Sequence, residues 1–236
     1  MIRKNKKFSV FHYKNIKLHN ILIHYISLKE WSNVIPLLKG KCLDIGCGNR
    51  AMEEIIKPYI SKYIGLDHPD TLHNKRKADV LGSAHKLPFK NRIFDSIICS
   101  AVLEHLEEPD KSIFEMNRIL KNKGIAIVSV PLFWHLHEEP RDFYRYTKYG
   151  LKYLFKKNGF EIVELKPMSG FWVTFAQEFV YYIQKFRRWG KINPLWWLIP
   201  PFGLLIQGIA YVLNIFDNST EFTWMYLLVA KKINEE

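Results

Sequence analysis

Residues 41–50 read K-C-L-D-I-G-C-G-N-R. The apolar run KCLDIGC (41–47) has the length and composition of a buried strand. Gly46 and Gly48 interrupt it, and a short helical pattern, RAMEEIIKPYI, follows until Pro58 breaks it. The order is therefore strand, glycine turn, helix. Glycines at such a turn let the chain reverse sharply and bring its backbone close to a ligand. In open α/β sheets, ligands bind at the carboxyl ends of the strands.

Working outward, the same alternation continues. KYIGLD (62–67), ADVL (78–81), FDSIICS (94–100), GIAIVSVP (124–131), FEIVELK (160–166) and WMYLLVAKK (224–232) read as further strands. Between them, Pro109 to Lys121 reads as a helix stopped by Asn122-Lys123-Gly124, and 147–159 as a helix stopped by Gly159. Residues 19–38 carry apolar positions at helical spacing, Ile21, Leu22, Tyr25 and Ile26. Seven strands alternating with helices define the expected fold class: α/β, Rossmann-like, a mostly parallel seven-stranded sheet with helices on both faces. The last strand is expected antiparallel, with an apolar helical insertion before it.

Asp44 narrows the ligand. The letters GCGNRA satisfy a loose dinucleotide pattern, G-x-G-x-x-A, which alone is weak. A pyrophosphate would be an awkward neighbour for a carboxylate two residues before the glycines. S-adenosylmethionine carries a sulfonium and an ammonium instead, and both tolerate an acid. Asp67 ends the second strand, 19 residues after Gly48, where a carboxylate can accept hydrogen bonds from two ribose hydroxyls.

On LDIGCGN, GLD, LGSAHKLPF, FDSIICSAVLEHLEEP, MNRILKNKGIAIVSVP and YLLVAKK, the chain resembles class I S-adenosylmethionine-dependent methyltransferases of the small-molecule type. The resemblance covers about residues 41–166 and the last strand at 224–232. It implies that Asp44, Gly46, Cys47 and Gly48 form the loop at the methionine side of the cofactor. It also implies that Asp67 holds the ribose, that His68 stacks near adenine, and that Ser100 lines the methionine end. Ser83-Ala84 falls where the family often has Asp-Ala, so adenine recognition is expected to lean on the Ala84 backbone.

The segment after the fifth strand, WHLHEEPRDFYRYT (134–147), lies at the ligand-binding end of the sheet and is dense in functional groups. It is similar to a stretch in bacterial methyltransferases of surface-glycan and nucleotide-sugar pathways. His137 is the expected general base, and Asp142 is expected to orient it or to pair with Arg145. Arg141 and Arg145 suit a phosphate or carboxylate. Tyr146 and His105, the latter in LEHLEEP, complete the expected acceptor side. Opposed to this stands a structural reading, in which the loop's charges pair with one another and cap the next helix.

The interval 171–220 breaks the alternation. Thr174, Gln177, Glu178, Gln184, Lys185 and Arg188 fall on one helical face, with Phe175, Phe179, Ile183 and Phe186 opposite. From Ile192 to Phe216 there are 25 residues without a formal charge. Pro194, Pro200 and Pro201 are expected to interrupt this run, leaving 202–216, about 22 Å of helix at ~1.5 Å per residue. That falls short of the ~30 Å hydrocarbon core of a bilayer. A narrow polar stripe, Gly203, Gln207, Tyr211 and Asn214, marks it. Trp172, Trp189, Trp196 and Trp197 flank Arg187, Arg188 and Lys191, a mix that suits a membrane interface. A lid or dimer surface, and a spanning hairpin, are the alternatives.

Composition agrees with this division. The chain has 236 residues, 48% of them apolar, which excludes disorder and supplies a full core. Net charge is +12, and aromatics reach 15% with seven Trp. Such a surplus calls for an anionic partner. Residues 1–18 hold Arg3, Lys4, Lys6, Lys7, Lys14 and Lys17 and no acid. Cys42, Cys47 and Cys99 lack the spacing of a disulfide framework or a zinc site, so a reducing compartment and no metal are expected. No apolar stretch of a secretory signal follows the basic N-terminus.

The expected organisation is a basic lead with N-terminal helices (1–40), a methyltransferase core (41–170), an apolar insertion (171–220), and a last strand with a tail (221–236). The expected activity moves a methyl group from S-adenosylmethionine to an oxygen or nitrogen of a glycan, nucleotide-sugar or lipid-linked acceptor. The expected place is the cytoplasm, peripheral on the inner membrane face through 1–18 and 171–216. RNA methylation, a non-catalytic membrane-associated cofactor-binding module, and an NAD-linked oxidoreductase are the competing readings. Nucleic acid is disfavoured, because no RNA-binding module is visible and the basic residues are dispersed. Asp44 disfavours the oxidoreductase.

Overall fold

The computed structural model describes residues 16–187, 190–217 and 219–234. Most of the basic lead, with Arg3, Lys4, Lys6, Lys7 and Lys14, lies outside the described residues, as do Arg188 and Trp189. The chain divides into two compact units. One runs from Val34 to Pro167 and adds Met225–Glu236; the other joins the segment up to Asn33 to Met168–Trp224.

The first unit is a seven-stranded sheet. Its strands are β1 (Lys41–Ile45), β2 (Lys62–Asp67), β3 (Val80–Leu81), β4 (Phe94–Ser100), β5 (Leu120–Pro131), β6 (Phe160–Pro167) and β7 (Met225–Lys232). The spatial order is β3-β2-β1-β4-β5-β7-β6. Strands β1 to β5 pair in parallel, and β7 is antiparallel to both β5 and β6. The chain winds one way from β1 to β3 and the other way from β4 onward, so the topological switch lies between β1 and β4. In doubly wound sheets the crevice for a ligand opens there, at the carboxyl ends. Leu43, Ile45, Ile97, Cys99, Ala126, Val128, Leu228 and Ala230 are wholly buried. This is why the central strands read as continuous apolar runs and do not alternate.

Three helices accompany the sheet: α2 (Glu53–Ile56), α3 (Pro109–Ile119) and α4 (Lys148–Lys157). Thr147 caps α4 by accepting the N–H of Gly150 at 3.1 Å. The expected end of α3 is corrected. The helix stops at Ile119, and Asn122-Lys123-Gly124 lies inside β5. Leu120 is fully buried and pairs with Phe94, so strand pairing takes over before the polar stop residues are reached.

The second unit contains most of α1 (Ile21–Val34), together with α5 (Phe171–Gln184) and α6 (Leu195–Asn214). The expected interruption of the uncharged run is also corrected. Pro194 is the N-cap of α6, and Pro200 and Pro201 lie within one continuous helix of 20 residues. Pro200 and Pro201, the sixth and seventh residues of α6, forgo the interior N–H bonds to the Trp196 and Trp197 carbonyls, and the helix continues through them. By length and composition, α6 is long and apolar enough to cross a membrane.

This unit buries polar side chains beside a small apolar core of Leu22, Ile26, Val173 and Ala210, and leaves many large apolar side chains outward. Thr174, Gln177 and Gln207 are buried, whereas Phe175, Phe179, Trp197, Leu198, Leu205 and Phe216 are exposed. The start of α1 explains the arrangement. Gln207 Nε2 donates to the Leu18 carbonyl at 3.2 Å, and its Oε1 accepts the N–H of Leu22 at 3.0 Å. Gln177 Nε2 donates to the His19 carbonyl at 2.7 Å, and Tyr181 donates to Asn20 Oδ1 at 2.8 Å. Gln207 thus pairs the Leu22 N–H, one of the donors that a helix N-terminus leaves without an intrahelical partner, and the Gln177 and Gln207 amides add bonds to the carbonyls just before it. Many of the larger apolar side chains of α5 and α6 are left outward.

Candidate functional site

The site is built at the carboxyl ends of β1, β2 and β4. After β1 the chain turns through Gly46 (φ 70°) and Gly48 (φ 50°), both left-handed. The N–H groups of Gly46 and Cys47 donate to the Leu66 carbonyl at 2.8 and 3.0 Å, tying the turn to β2. A Cβ on Gly46 would overlap Val102 Cγ2, and one on Gly48 would press on the His73 ring at 3.1 Å. The turn therefore leaves space that only glycine leaves.

Asp67, at the end of β2, is fixed from two sides. Its Oδ2 accepts the N–H of Gly48 at 3.0 Å, and its Oδ1 accepts the N–H of His68 at 2.8 Å. Each oxygen keeps lone-pair capacity for a ligand. A cavity of about 380 Å³ opens beside it. Gly46, Leu66, Asp67, His68, Ser83 and Ala84 line one part of its wall, and Ala101, Val102, His105 and Leu106 another. Ser83 Oγ accepts the N–H of His85 at 3.2 Å, which fixes the hydroxyl at the rim.

Asp44 does not line this cavity. It is buried below the turn, where Tyr63 donates to its Oδ2 at 2.6 Å. Burial pushes its pKa up to about 7, against the pull of the Tyr63 hydroxyl. Arg50 stands over the Tyr63 ring at 4.6 Å and pairs with Glu53 and Asp79. The Cys47 side chain is buried against Gly65, and burial raises its thiol to about 12, so it supplies packing and no nucleophile. Ser100 Oγ lies 2.9 Å from Ser129 Oγ, between β4 and β5, and the neighbouring Ala101 and Val102 form the wall instead.

The loop 132–147 divides its residues between two tasks. Arg141 reaches the cavity mouth, with Nη1 3.2 Å from His68 Nδ1 and Nη2 3.4 Å from Asp70 Oδ2. Glu138 and His105 lie at the same mouth. Arg145 and Tyr146 are placed elsewhere than the substrate side expected of them. Arg145 grips both oxygens of Asp142 at 2.7 and 2.8 Å and donates to the carbonyls of Trp134 and His135. Tyr146 is buried, and its hydroxyl donates to the Leu103 carbonyl at 2.8 Å. The Arg145 guanidinium holds the Asp142 carboxyl well below the usual range. Here the structural reading of the loop's charges describes the geometry.

His137 is half-buried behind the mouth. Its N–H donates to Asp142 Oδ2 at 2.9 Å, and its Nδ1 lies 3.3 Å from the same oxygen. Its ring meets that of His105 edge to face at 4.8 Å. Burial lowers its pKa, against the attraction of Asp142, so the ring is neutral at pH 7. One functional group escaped the sequence reading. Glu104 is 1% exposed, and burial raises its carboxyl to about 8. Its sequence context, L-E-H-L-E-E, looks like a solvated acidic turn, and no sequence signal shows its burial.

A turn that only glycine can make, a twice-anchored carboxylate at the end of β2, and a cavity of mixed lining suit a nucleoside with a charged tail and no phosphate. The fold and the site define a class I S-adenosylmethionine-dependent methyltransferase domain, with S-adenosylmethionine as its cofactor. Residues 43–128 match the family described as "Methyltransferase domain". The chain is 36% identical over 104 residues to an uncharacterized protein of Methanocaldococcus jannaschii, covering 44% of each. It is 27% identical over 138 residues to the ubiquinone biosynthesis O-methyltransferase of Rickettsia prowazekii, covering 53% of this chain and 52% of that protein. These matches span about half the length of the two relatives. In fold, the chain resembles a SAM dependent methyltransferase from Archaeoglobus fulgidus, with a TM-score of 0.56 at 17% identity, covering 92% of this chain and 95% of that one.

The cavity fits the cofactor. Its volume lies in the ~300–1,000 Å³ range of small-ligand sites. Asp67 would hold the ribose, and Ser83 with the Ala84 backbone would meet the adenine edge. Gly46 would let the methionine end approach the main chain.

Proposed function

We propose that the protein transfers the methyl group of S-adenosylmethionine to an oxygen or nitrogen of a lipid-borne acceptor at an anionic membrane surface. The observation that carries the acceptor class is the large exposed apolar surface of α5 and α6. Exposed aromatic and aliphatic side chains on two adjoining helices suit contact with acyl chains, and Lys185 and Arg187 at the end of α5 suit anionic headgroups. Arg187 stacks on Trp196 at 4.1 Å, a cation–aromatic pair of the kind found at headgroup depth. The Rickettsia relative is named for ubiquinone biosynthesis, and a lipid-borne acceptor agrees with that name.

The cofactor, when bound, supplies an electrophilic methyl group on a sulfonium. The chain's own residues position and deprotonate. Asp67 and the glycine turn orient the cofactor, which matters because in-line displacement depends on alignment. Arg141 at the mouth orients an acceptor carrying a phosphate or carboxylate. The acceptor's proton goes to the group of titratable side chains around His105 and His137, and a positioned base contributes ~10²–10⁴ in rate.

The test is a double partition. Purified protein is floated with phosphatidylglycerol vesicles, with phosphatidylcholine vesicles as control. It is then incubated with labelled S-adenosylmethionine and native extract. Flotation on anionic vesicles, lost in Phe179→Glu and Trp197→Glu, and label in the organic phase are expected. Label confined to aqueous glycan or RNA would overturn the acceptor class.

A further inference from the structure

The geometry points to a binding site for one divalent transition-metal cation, held by Glu104, His105 and His137. A Glu104 carboxyl oxygen and one ring nitrogen from each histidine lie within 4.8 Å of one another. Three further observations support a cation there.

The first is an orphan. Glu104 Oε2 is buried without a hydrogen-bond partner. A buried polar atom left so costs free energy, and native structures almost always satisfy it. The second is the arrangement of the rings. His105 directs Nδ1 at the Arg141 carbonyl, at 2.5 Å. His137 directs Nδ1 at the His135 carbonyl and at Asp142 Oδ2, both at 3.3 Å. An Nδ1–H given to a carbonyl or carboxylate leaves the Nε2 lone pair free. Metal-ligating histidines are held by this same outer hydrogen bond. The third is the donor set. Two imidazoles and one carboxylate suit Zn²⁺ and its neighbours in the first transition row, and Mg²⁺ and Ca²⁺ prefer oxygen alone.

Bonds of about 2.0–2.1 Å around a tetrahedral ion place donors about 3.4 Å apart, so donors as much as 4.8 Å apart must close in by about 1.4 Å on binding. Glu138 Oε2, 3.9 Å from His105 Nε2, stands within reach of a fourth position. His105 also lines the cavity, so with the cation bound the two histidines act as ligands and no longer as proton acceptors, and the cation would lower the pKa of an acceptor hydroxyl facing it, whose proton leaves to water. That role rests on the proposed methyl transfer; the binding site does not. The site departs from the expectation of no metal, which considered the cysteines.

The experiment uses the full chain, stripped with a chelator and dialysed. Zn²⁺ is titrated in competition with a chromophoric chelator, for wild type and for Glu104→Gln, His105→Asn and His137→Ala. S-adenosylmethionine affinity, measured by calorimetry on the same samples, reports whether the cofactor cavity is intact. One equivalent of Zn²⁺ is expected, bound at least about 100-fold more weakly in each variant, with cofactor affinity retained in His137→Ala. X-ray absorption should show nitrogen and oxygen neighbours only. Absence of stoichiometric Zn²⁺ binding in wild type, or unchanged affinity in His137→Ala and His105→Asn, overturns the proposal. If Glu104→Gln fails to fold, the two histidine variants decide. Loss of cofactor binding or of methyl transfer with Zn²⁺ binding intact would count against the proposed function and leave the cation site standing.

Discussion

Replacing Gly46 by alanine should destabilise the sheet unit in two separable ways. Gly46 has φ of 70°, where an L residue pays about 1–2 kcal/mol. The added Cβ also overlaps Val102 Cγ2, while the other Val102 atoms stay at 3.5 Å and beyond. Val102 is half-buried, so a rotation about χ1 relieves the overlap at about 0.5–1.5 kcal/mol. The sum is about 1.5–3.5 kcal/mol, or roughly 3–14 °C in midpoint at ~2–4 °C per kcal/mol for a chain of this size. The two parts separate in a double-mutant cycle of Gly46→Ala with Val102→Ala, followed by urea unfolding. Val102→Ala removes the overlap, so the coupling should equal the second part, about 0.5–1.5 kcal/mol, and the backbone part should remain. Because Gly46 and Val102 both line the cavity, Gly46→Ala should also weaken S-adenosylmethionine binding. Additivity within about 0.3 kcal/mol would refute the packing argument. A Gly46→Ala cost below about 1 kcal/mol would refute the backbone argument.

Asp67→Ala removes the carboxylate that anchors Gly48 and His68 and is placed to accept the ribose hydroxyls. Hydrogen bonds to a charged group contribute about 1.5–3 kcal/mol each, so calorimetric affinity should fall by at least about 100-fold while far-UV circular dichroism is unchanged. Unaltered affinity would remove Asp67 from the site. Asp44 should impose a pH dependence on stability. Its ordinary value is 3.8 and burial raises it to about 7, so between these limits the folded chain holds a proton that the unfolded chain has lost. Its stabilising contribution is complete below about pH 4 and is lost as pH rises through about 7. Chemical denaturation across pH 4–8 should show this slope in wild type and a flatter profile in Asp44→Asn. Equal slopes would show that the carboxyl is ionised throughout.

Much of the sheet was legible because its strands are short, apolar and separated by turn residues. β2 and β4 coincide with the runs KYIGLD and FDSIICS, and Gly46, Gly48 and Asp67 follow from their places at strand ends. The end of α3 was not legible. Leu120 is as good a helix residue as a strand residue, and only its pairing with Phe94 settles the matter. The loop after β5 was legible as a segment at the cavity mouth and misleading residue by residue. Arg141 and Arg145 look equivalent in R-D-F-Y-R, yet one faces the mouth and the other grips Asp142. Charge type is local, whereas the direction of a side chain depends on what packs behind it.

The sequence by itself therefore determined the alternating α/β order, the glycine turn with the Asp67 carboxylate at the end of the next strand, and the presence of an apolar insertion. These depend on periodicity and on residue conformational limits, which are properties of neighbouring residues. Tertiary structure alone decided which face of the insertion turns outward. Gln207 faces inward to pair the Leu22 N–H and the Leu18 carbonyl, and Gln177 to pair the His19 carbonyl. It also decided that Glu104 is buried beside two histidines, since burial is set by contacts distant in the chain.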